Sequence, residues 1–160
     1  LEKFLNMKKL NFGCGTDLKE GWDNIDIQKS DKVAKSFDFD LFPYPIKDNS
    51  YDYIYTRNVL EHLNDPEKTL YELWRIGRNN TEIEIIVPYY GNKGAYSCLN
   101  HRHYFNDTAF LAFVNQDKQI DKKQKFEIIE LKLIPSKIGI FFPEFIRKKL
   151  LEYEPNQTML

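Results

Sequence analysis

The first half of the chain consists of short apolar runs, each bounded by turn residues or acids. Runs of this length that are rich in β-branched and aromatic residues are typical of strands, because a helix needs a longer periodic segment. The pattern predicts strands at Lys9–Phe12, Asn24–Ile27, Val33–Phe37, Tyr51–Tyr55 and Glu82–Val87.

Helical spacing is clearest after Asn64-Asp65-Pro66-Glu67, which combines a capping side chain, a proline at the first helical position and an acid in the first turn. Apolar residues follow at steps of three and four, so one face of this helix is predicted to be buried. Beyond Pro88 the pattern predicts a long aromatic loop, a helix, a strand and a second helix, at Tyr89–Phe105, Asp107–Val114, Phe126–Ile134 and Pro143–Tyr153.

Strands that alternate with helices require crossover connections, which make the strands parallel in a twisted α/β sheet covered on both faces. The length of 160 residues suits a single domain over residues 1–160. One connection departs from this scheme. Only eight residues separate Gly15 from Asn24, too few for a crossover helix, so we predict a loop or a single turn there.

Composition and charge exclude several classes of protein. Hydrophobic residues make up 42% of the chain and 23 basic residues nearly balance 24 acidic ones, which indicates neither disorder nor a field that attracts nucleic acid or anionic lipid. The longest apolar stretch, near Ile138–Ile146, contains Pro143 and is too short to span a membrane. Two cysteines, Cys14 and Cys98, are too few for a disulfide scaffold and indicate a reducing, cytoplasmic environment.

Residues with binding chemistry follow each predicted strand in turn. They are Gly13 and Gly15, then Asp26, then Asp38, then Thr56, Arg57 and Asn58, and finally Tyr89 and Tyr90. In an open α/β sheet, ligands bind beyond the carboxyl ends of the strands, so we expect these residues to converge on one crevice.

The residue types in this crevice suit a nucleoside. A Gly-x-Gly turn lets backbone N–H groups approach a ligand. An acid such as Asp26 can accept from both ribose hydroxyls. Asp38 can accept from an adenine amino group, while Phe39 or Ile54 covers the ring. Leu18 stands where a dinucleotide fingerprint needs a small residue, and the chain has no Gly-Lys-Ser/Thr phosphate loop.

The motifs occur in a fixed order along the chain. They are Leu10-Asn11-Phe12-Gly13-Cys14-Gly15, Gly21-Trp22-Asp23-Asn24-Ile25-Asp26-Ile27, Asp38, Ser50-Tyr51-Asp52 and Asn58-Val59-Leu60-Glu61-His62-Leu63. This ordered set resembles a class I S-adenosylmethionine-dependent methyltransferase, and it is similar to the small bacterial and archaeal group in which the second strand follows the glycine motif almost at once. The resemblance covers roughly residues 8–105.

The resemblance implies a Rossmann-like fold with strand order 3-2-1-4-5-7-6 and S-adenosyl-L-methionine as the cofactor. The glycine turn would hold the methionine part, Asp26 the ribose and Asp38 the adenine. Alternatively, the two aspartates are surface acids, or Asp40 takes the place of Asp38 in a shifted register. The predicted cofactor-binding residues are Asn11, Gly13, Cys14, Gly15, Asp26, Ile27, Asp38, Phe39, Arg57 and Asn58.

Two features depart from the family pattern. A Lys-Pro-Gly-Gly turn usually precedes the fifth strand, whereas this chain has Gly77-Arg78-Asn79-Asn80, a change distant from the cofactor. The family fold also ends in an antiparallel strand pair, and only Phe126–Ile134 is a candidate here. The seventh strand is therefore either missing or irregular, and we favour a chain truncated at its C-terminus.

The three histidines of the chain, His62, His101 and His103, fall in the predicted site or just after it. Methyl transfer from an activated cofactor needs alignment of the acceptor and removal of its proton, and histidine suits the second task. These histidines are the predicted catalytic residues, or else they pack the helix and brace the loop. Glu61-His62 is similar to a metal-binding helix motif, but Asn58 replaces its first acid, so we expect no metal.

The implied reaction is methyl transfer to an oxygen or nitrogen of a small molecule or glycan. Tyr89, Tyr90, Tyr96, Tyr104 and Phe105 would form an acceptor platform or else cover the edge of the sheet. The sequence predicts no basic face interleaved with aromatic residues, so nucleic acid is not favoured as a partner. The alternatives are a non-catalytic S-adenosylmethionine-binding scaffold of the same fold and a nicotinamide-dependent oxidoreductase.

Overall fold

The computed structural model describes residues 7–116, 126–134 and 157–159. The elements are β1 (Lys9–Phe12), β2 (Asp23–Asp26), β3 (Lys35–Ser36), β4 (Tyr51–Arg57), α1 (Pro66–Ile76), β5 (Gly77–Pro88), α2 (Asp107–Gln116), β6 (Lys132–Ile134) and β7 (Gln157–Met159). Short 3-10 helices lie at Leu60–His62 and Lys93–Tyr96. The chain divides into two compact units, Leu1–Ile85 and Ile86–Leu160.

The first unit contains a parallel sheet in the strand order β3-β2-β1-β4-β5. The central strand β1 places Asn11 opposite Asn24 of β2 on one side and opposite Tyr55 of β4 on the other. The edge strand β3 has only two residues, and its Ser36 lies opposite Asp26. The predicted Rossmann-like α/β fold is confirmed.

One face of this sheet carries the apolar core of the first unit. Leu10, Phe12 and Ile54 are fully buried there. Tyr44 links this face to α1, because its ring stacks against Phe12 and its hydroxyl hydrogen-bonds to Thr69 of the helix. The buried residues of α1, Thr69, Leu70, Leu73 and Ile76, are spaced at three- and four-residue steps along one face, as the sequence pattern predicts.

The opposite face of the sheet is covered by the loop between β1 and β2 where a crossover helix would normally lie. Trp22 from this loop packs edge-on against Tyr53 and Tyr55. The Lys19 ammonium lies 4.2 Å from the centre of the Tyr55 ring, an attractive cation–π contact. A loop in this position confirms the prediction that the short connection holds no crossover helix.

The start of α1 agrees with its sequence signature. The Asp65 carboxylate accepts from the Lys68 backbone N–H at 2.8 Å, and Pro66 is the first helical residue. Within the described ranges, no helix is both long and apolar enough to cross a lipid bilayer.

The second unit contains the strand pair that the sequence analysis did not find. The end of β5 pairs antiparallel with β7, and β7 pairs antiparallel with β6. The prediction that the seventh strand is missing or irregular is therefore wrong. The residues Gln157–Met159 lack an alternating pattern, so their pairing with two neighbouring strands was not visible in the sequence.

Two other predictions for the second unit have different outcomes. The predicted strand Phe126–Ile134 is regular only at Lys132–Ile134, where it pairs with β7. The predicted helix Pro143–Tyr153 lies outside the described residues. The predicted helix at Asp107 is confirmed as α2.

The segment between β3 and β4 is held against α1 by charged hydrogen bonds. The Glu72 carboxylate accepts from the Tyr44 backbone N–H at 2.6 Å and from the Arg75 guanidinium at 2.7 and 2.8 Å. Arg75 also donates to the backbone carbonyls of Tyr44 and Ile46. Burial raises the pKa of the Glu72 carboxyl, but the hydrogen bonds from Arg75 and Tyr44 lower it. The net effect is a lowered pKa.

We expect Glu72→Gln to lower the free energy of unfolding at pH 7 by about 1–3 kcal/mol, because it removes charge-assisted hydrogen bonds. A carboxylate whose pKa is lower in the folded protein stabilises the fold at pH values above its unfolded-state pKa. This stabilisation is lost as the pH falls through the folded-state pKa. The difference between variant and wild type should therefore shrink below about pH 4, as measured by urea unfolding. Glu67→Gln, an exposed change on the same helix, is the control. An equal difference at pH 7 and pH 3 would contradict the assignment.

Candidate functional site

The glycine turn follows β1 and is fastened to β2. The backbone N–H groups of Gly13 and Cys14 both donate to the Ile25 carbonyl, at 2.8 and 3.0 Å. Gly13 and Gly15 have φ values of +72° and +48°, in the left-handed region that favours glycine. The turn is therefore a defined conformation that other residues would adopt only with strain.

The two glycines face different surroundings. A Cβ added to Gly13 would lie 2.2 Å from a γ-methyl of Val59, so Gly13 makes room for this side chain from the segment after β4. A Cβ added to Gly15 would meet nothing within 4 Å. The open side of the turn is consequently at Gly15, and the sequence analysis did not anticipate Val59 beside Gly13.

Asp26 lies next to the open side of the turn. Its Oδ2 accepts from the Gly15 backbone N–H at 2.7 Å and its Oδ1 accepts from the Gln28 backbone N–H at 3.0 Å. Each carboxylate oxygen can accept a further hydrogen bond, because a carboxylate offers about four lone-pair positions. The structure thus brings together the predicted turn and the predicted ribose-binding acid.

Asp38 and Asp40 have different roles in the structure. The Asp40 carboxylate accepts from the backbone N–H and the side-chain amide of Asn64, at 2.8 and 2.7 Å, and so fastens the segment after β3 to the start of α1. Asp38 is exposed, and its carboxylate accepts from the Asp40 backbone N–H at 2.9 Å. Asp38 stays the better candidate for an adenine contact.

Three of the predicted cofactor residues are buried inside the first unit. Asn11, Cys14 and Phe39 have exposed fractions of 2%, 4% and 4%. Phe39 stacks on Phe12 with ring centres 4.1 Å apart, and the Asn11 amide is bonded within the loop after β1. Burial, followed by the nearby charge of Asp26, raises the pKa of the Cys14 thiol. These three side chains are packed inside the first unit in this structure, and their contact with a cofactor stays a prediction.

The other predicted residues are accessible. Ile27 follows Asp26 directly and is 57% exposed, so its side chain is accessible next to the carboxylate. Arg57 is exposed at the end of β4. Burial raises the pKa of Tyr55, and the positive charge of Arg57 and its hydrogen bond offset only part of this rise. Asn58 follows with a φ of +53°, a conformation that asparagine tolerates.

The segment after β4 also holds His62 and a buried acid. The 3-10 helix Leu60–His62 places Glu61 in the interior, where it is 1% exposed. Acids are rarely buried to this extent, so the sequence analysis had no reason to predict it. His62 is half-buried beside it in the chain.

The other two histidines lie in the second unit, in the loop after β5. His101 Nδ1 lies 2.6 Å from the Ala95 carbonyl oxygen. Because a carbonyl oxygen can only accept, Nδ1 carries the proton of this bond, and in the neutral ring Nε2 holds the lone pair. His103 is half-buried, with its ring centre 6.4 Å from that of Phe105.

The loop after β5 exposes several aromatic rings. Tyr90, Tyr96 and Tyr104 are 47%, 58% and 49% exposed, and Tyr96 stacks on Tyr104 with ring centres 4.7 Å apart. Phe105 is more protected and stacks on Phe110 of α2. The tyrosines thus offer an accessible surface, while Phe105 belongs to the packing of the second unit.

Comparison with known proteins gives a consistent picture. Residues 13–83 match a family described as a methyltransferase domain. The uncharacterized protein MJ0638 of Methanocaldococcus jannaschii is 30% identical over 174 residues, an alignment that covers 96% of this chain and 72% of that protein.

Solved structures are similar at the level of the fold. An S-adenosylmethionine-dependent methyltransferase from Mesorhizobium loti matches with a TM-score of 0.68 and 10% identity, over 96% of this chain and 89% of its own. The [4+2]-cyclase SpnF matches with a TM-score of 0.64 and 14% identity, over 96% of this chain and 73% of its own.

We expect Gly13→Ala to lower the free energy of unfolding by about 2–4 kcal/mol, from the positive φ and the clash with Val59. Gly15→Ala should cost only about 1–2 kcal/mol, because its surroundings are open. Combining Gly13→Ala with Val59→Ala should restore part of the loss, since the nearest remaining Val59 atom, Cβ, is 3.3 Å away. Urea unfolding of the wild type, the two single glycine variants and the double variant measures these values. Equal losses for Gly13→Ala with and without Val59→Ala would show that the clash is not the cause.

Proposed function

Because the chain belongs to the class I S-adenosylmethionine-dependent methyltransferases, we propose that it binds S-adenosylmethionine beside Gly15 and transfers the methyl group to an oxygen or nitrogen of a small molecule or glycan. The single observation that carries this proposal is the hydrogen bond between the Gly15 N–H and the Asp26 carboxylate at the open side of the turn. It holds the carboxylate at the end of β2, where a ribose would be recognised.

The residues of the first unit suit the parts of the cofactor in turn. The remaining lone pairs of Asp26 would accept from the two ribose hydroxyls. Asp38 would accept from the adenine amino group, and the exposed side chain of Ile27 would cover one face of the ring. Arg57 and Asn58, at the end of β4, would line the remainder of the pocket.

When bound, S-adenosylmethionine supplies a methyl group on a sulfonium that is already activated for displacement. The chain itself has to exclude water, align the acceptor and take up the proton that the acceptor hydroxyl or amine loses. Among the three candidate histidines we assign this proton to Nε2 of His101, because the Ala95 carbonyl keeps the other ring nitrogen protonated. His62 and His103 stay as alternatives.

The acceptor we propose is neutral or negatively charged. No acidic residue occurs between Glu84 and Asp107, the stretch that contains the exposed tyrosines. Such a loop lacks the carboxylates that would bind a cationic acceptor, while its rings can stack on a sugar or a flat small molecule.

Free thiols at Cys14 and Cys98 suit the reducing cytoplasm, where we place the protein.

The second candidate function is a binding protein of the same fold without methyl transfer. The similarity of the fold to a [4+2]-cyclase supports keeping it, because a shared fold does not determine the reaction. This candidate would bind the cofactor but turn over no acceptor.

We expect Asp26→Ala to weaken binding of S-adenosylhomocysteine by about 1–3 kcal/mol, roughly 5- to 150-fold, because ribose hydroxyls lose their acceptor. Titration calorimetry measures this, with Asp31→Ala as an exposed acid-to-alanine control that should bind normally. NAD should give no heat of binding. Binding of NAD but not of S-adenosylhomocysteine by the wild type would end the proposal.

We expect His101→Gln to lower the rate of methyl transfer roughly 10²- to 10⁴-fold while leaving the dissociation constant of S-adenosylhomocysteine unchanged. The assay follows a labelled methyl group onto a panel of sugars and hydroxyl- or amine-bearing small molecules. His62→Gln and His103→Gln are measured in parallel, and Asn115→Ala on α2 is the control. A loss confined to His62→Gln or His103→Gln would move the role to that residue, whereas cofactor binding without turnover of any acceptor would favour the binding protein.

A further inference from the structure

The loop between β1 and β2 is held by two asparagine side chains. Asn11 and Asn24 lie directly opposite each other on the neighbouring strands and point to the same side of the sheet. Asn11 Nδ2 donates to Asn24 Oδ1 at 2.8 Å. Their exposed fractions are 2% and 8%, so this amide pair is shielded from water.

Each amide then reaches into the loop. Asn11 Nδ2 also donates to the Asp17 carbonyl at 2.7 Å. Asn24 Oδ1 accepts from the Lys19 backbone N–H at 2.9 Å, and Asn24 Nδ2 donates to the carbonyls of Lys19 and Trp22 at 2.9 and 3.3 Å. Backbone groups that a crossover helix would satisfy internally are satisfied here by two side chains.

The chemistry of the amide fits this task closely. Asn24 uses its oxygen as an acceptor twice and its nitrogen as a donor twice, which no carboxylate, hydroxyl or apolar side chain of similar size can do. Buried polar networks are stabilising when every member is satisfied, and they are costly when one partner is lost. We therefore expect a substitution at either position to loosen the loop.

We propose that Asn11 and Asn24 are positioning residues of the cofactor site. By fastening residues 17–22, they keep the preceding turn in place, so that the Gly15 N–H stays on the Asp26 carboxylate before any ligand arrives. Binding then costs less ordering of the loop, which increases affinity. The identity of the ligand in this inference rests on the proposed function, whereas the fastening of the loop does not.

The experiment compares Asn24→Ala with Thr81→Val, which also removes side-chain hydrogen bonding to backbone carbonyls in the first unit, but far along the chain from the loop. The Thr81 hydroxyl oxygen lies 2.7 Å from the carbonyl oxygens of both Tyr51 and Arg78, which share its single proton. Both variants should lower the melting temperature. We expect Asn24→Ala to raise the dissociation constant of S-adenosylhomocysteine at least tenfold, and Thr81→Val to change it less than twofold.

A second measurement does not depend on the ligand. In the unliganded protein, we expect the Gly15 amide hydrogen to exchange at least tenfold faster in Asn24→Ala than in wild type, measured by NMR. Asn11→Ser, a milder change that replaces the two N–H donors of the amide by one hydroxyl on a shorter side chain, should show the same effect if Asn24→Ala fails to fold.

The outcomes separate the two hypotheses. If wild type does not bind S-adenosylhomocysteine, the proposed function fails and amide exchange alone tests the positioning role. If wild type binds and Asn24→Ala binds within twofold of it, the positioning role is overturned. It is also overturned if Gly15 exchange is unchanged in the variants, or if Thr81→Val weakens binding equally.

Discussion

The structure depends on the hydrogen bonds that hold the loop between β1 and β2, a connection that is too short to contain a helix. A helix satisfies its own backbone groups, but the loop from Gly13 to Trp22 has to obtain its hydrogen bonds from elsewhere. The Asn11–Asn24 pair provides four of them, to Asp17, Lys19 and Trp22, and the loop in turn places Trp22 over one face of the sheet and the Gly15 amide on Asp26. Sheet coverage and the candidate site therefore have a common origin.

The glycine motif combines two requirements that a sequence match does not distinguish. Gly13 is needed because the Val59 side chain fills the space where its Cβ would be. Gly15 is needed for its backbone conformation and leaves open space beside Asp26. Packing at one glycine and accessibility at the other explain why a single turn can both anchor the chain and offer a binding surface.

The residues assigned to the cofactor and those assigned to the acceptor belong to different parts of the chain. Gly15, Asp26 and Asp38 lie in the first unit, which follows the family pattern, whereas His101 and the exposed tyrosines lie in the second. Fold similarity therefore informs the cofactor more than the acceptor, since a fold permits many reactions. The acceptor that we propose therefore rests on the chemistry of the loop after β5.

The sequence by itself determined the features that depend on local patterns: the parallel α/β order, the helix start at Pro66, the helix-free connection and the acid beside the glycine turn. Only the tertiary structure decided features that depend on distant residues. These include the contact of Val59 with Gly13, the burial of Asn11 and Phe39, the hydrogen bond from Asn64 to Asp40, and the pairing of β7. Periodicity and motif spacing act within a few residues, whereas the partner of a side chain is chosen by packing across the sheet.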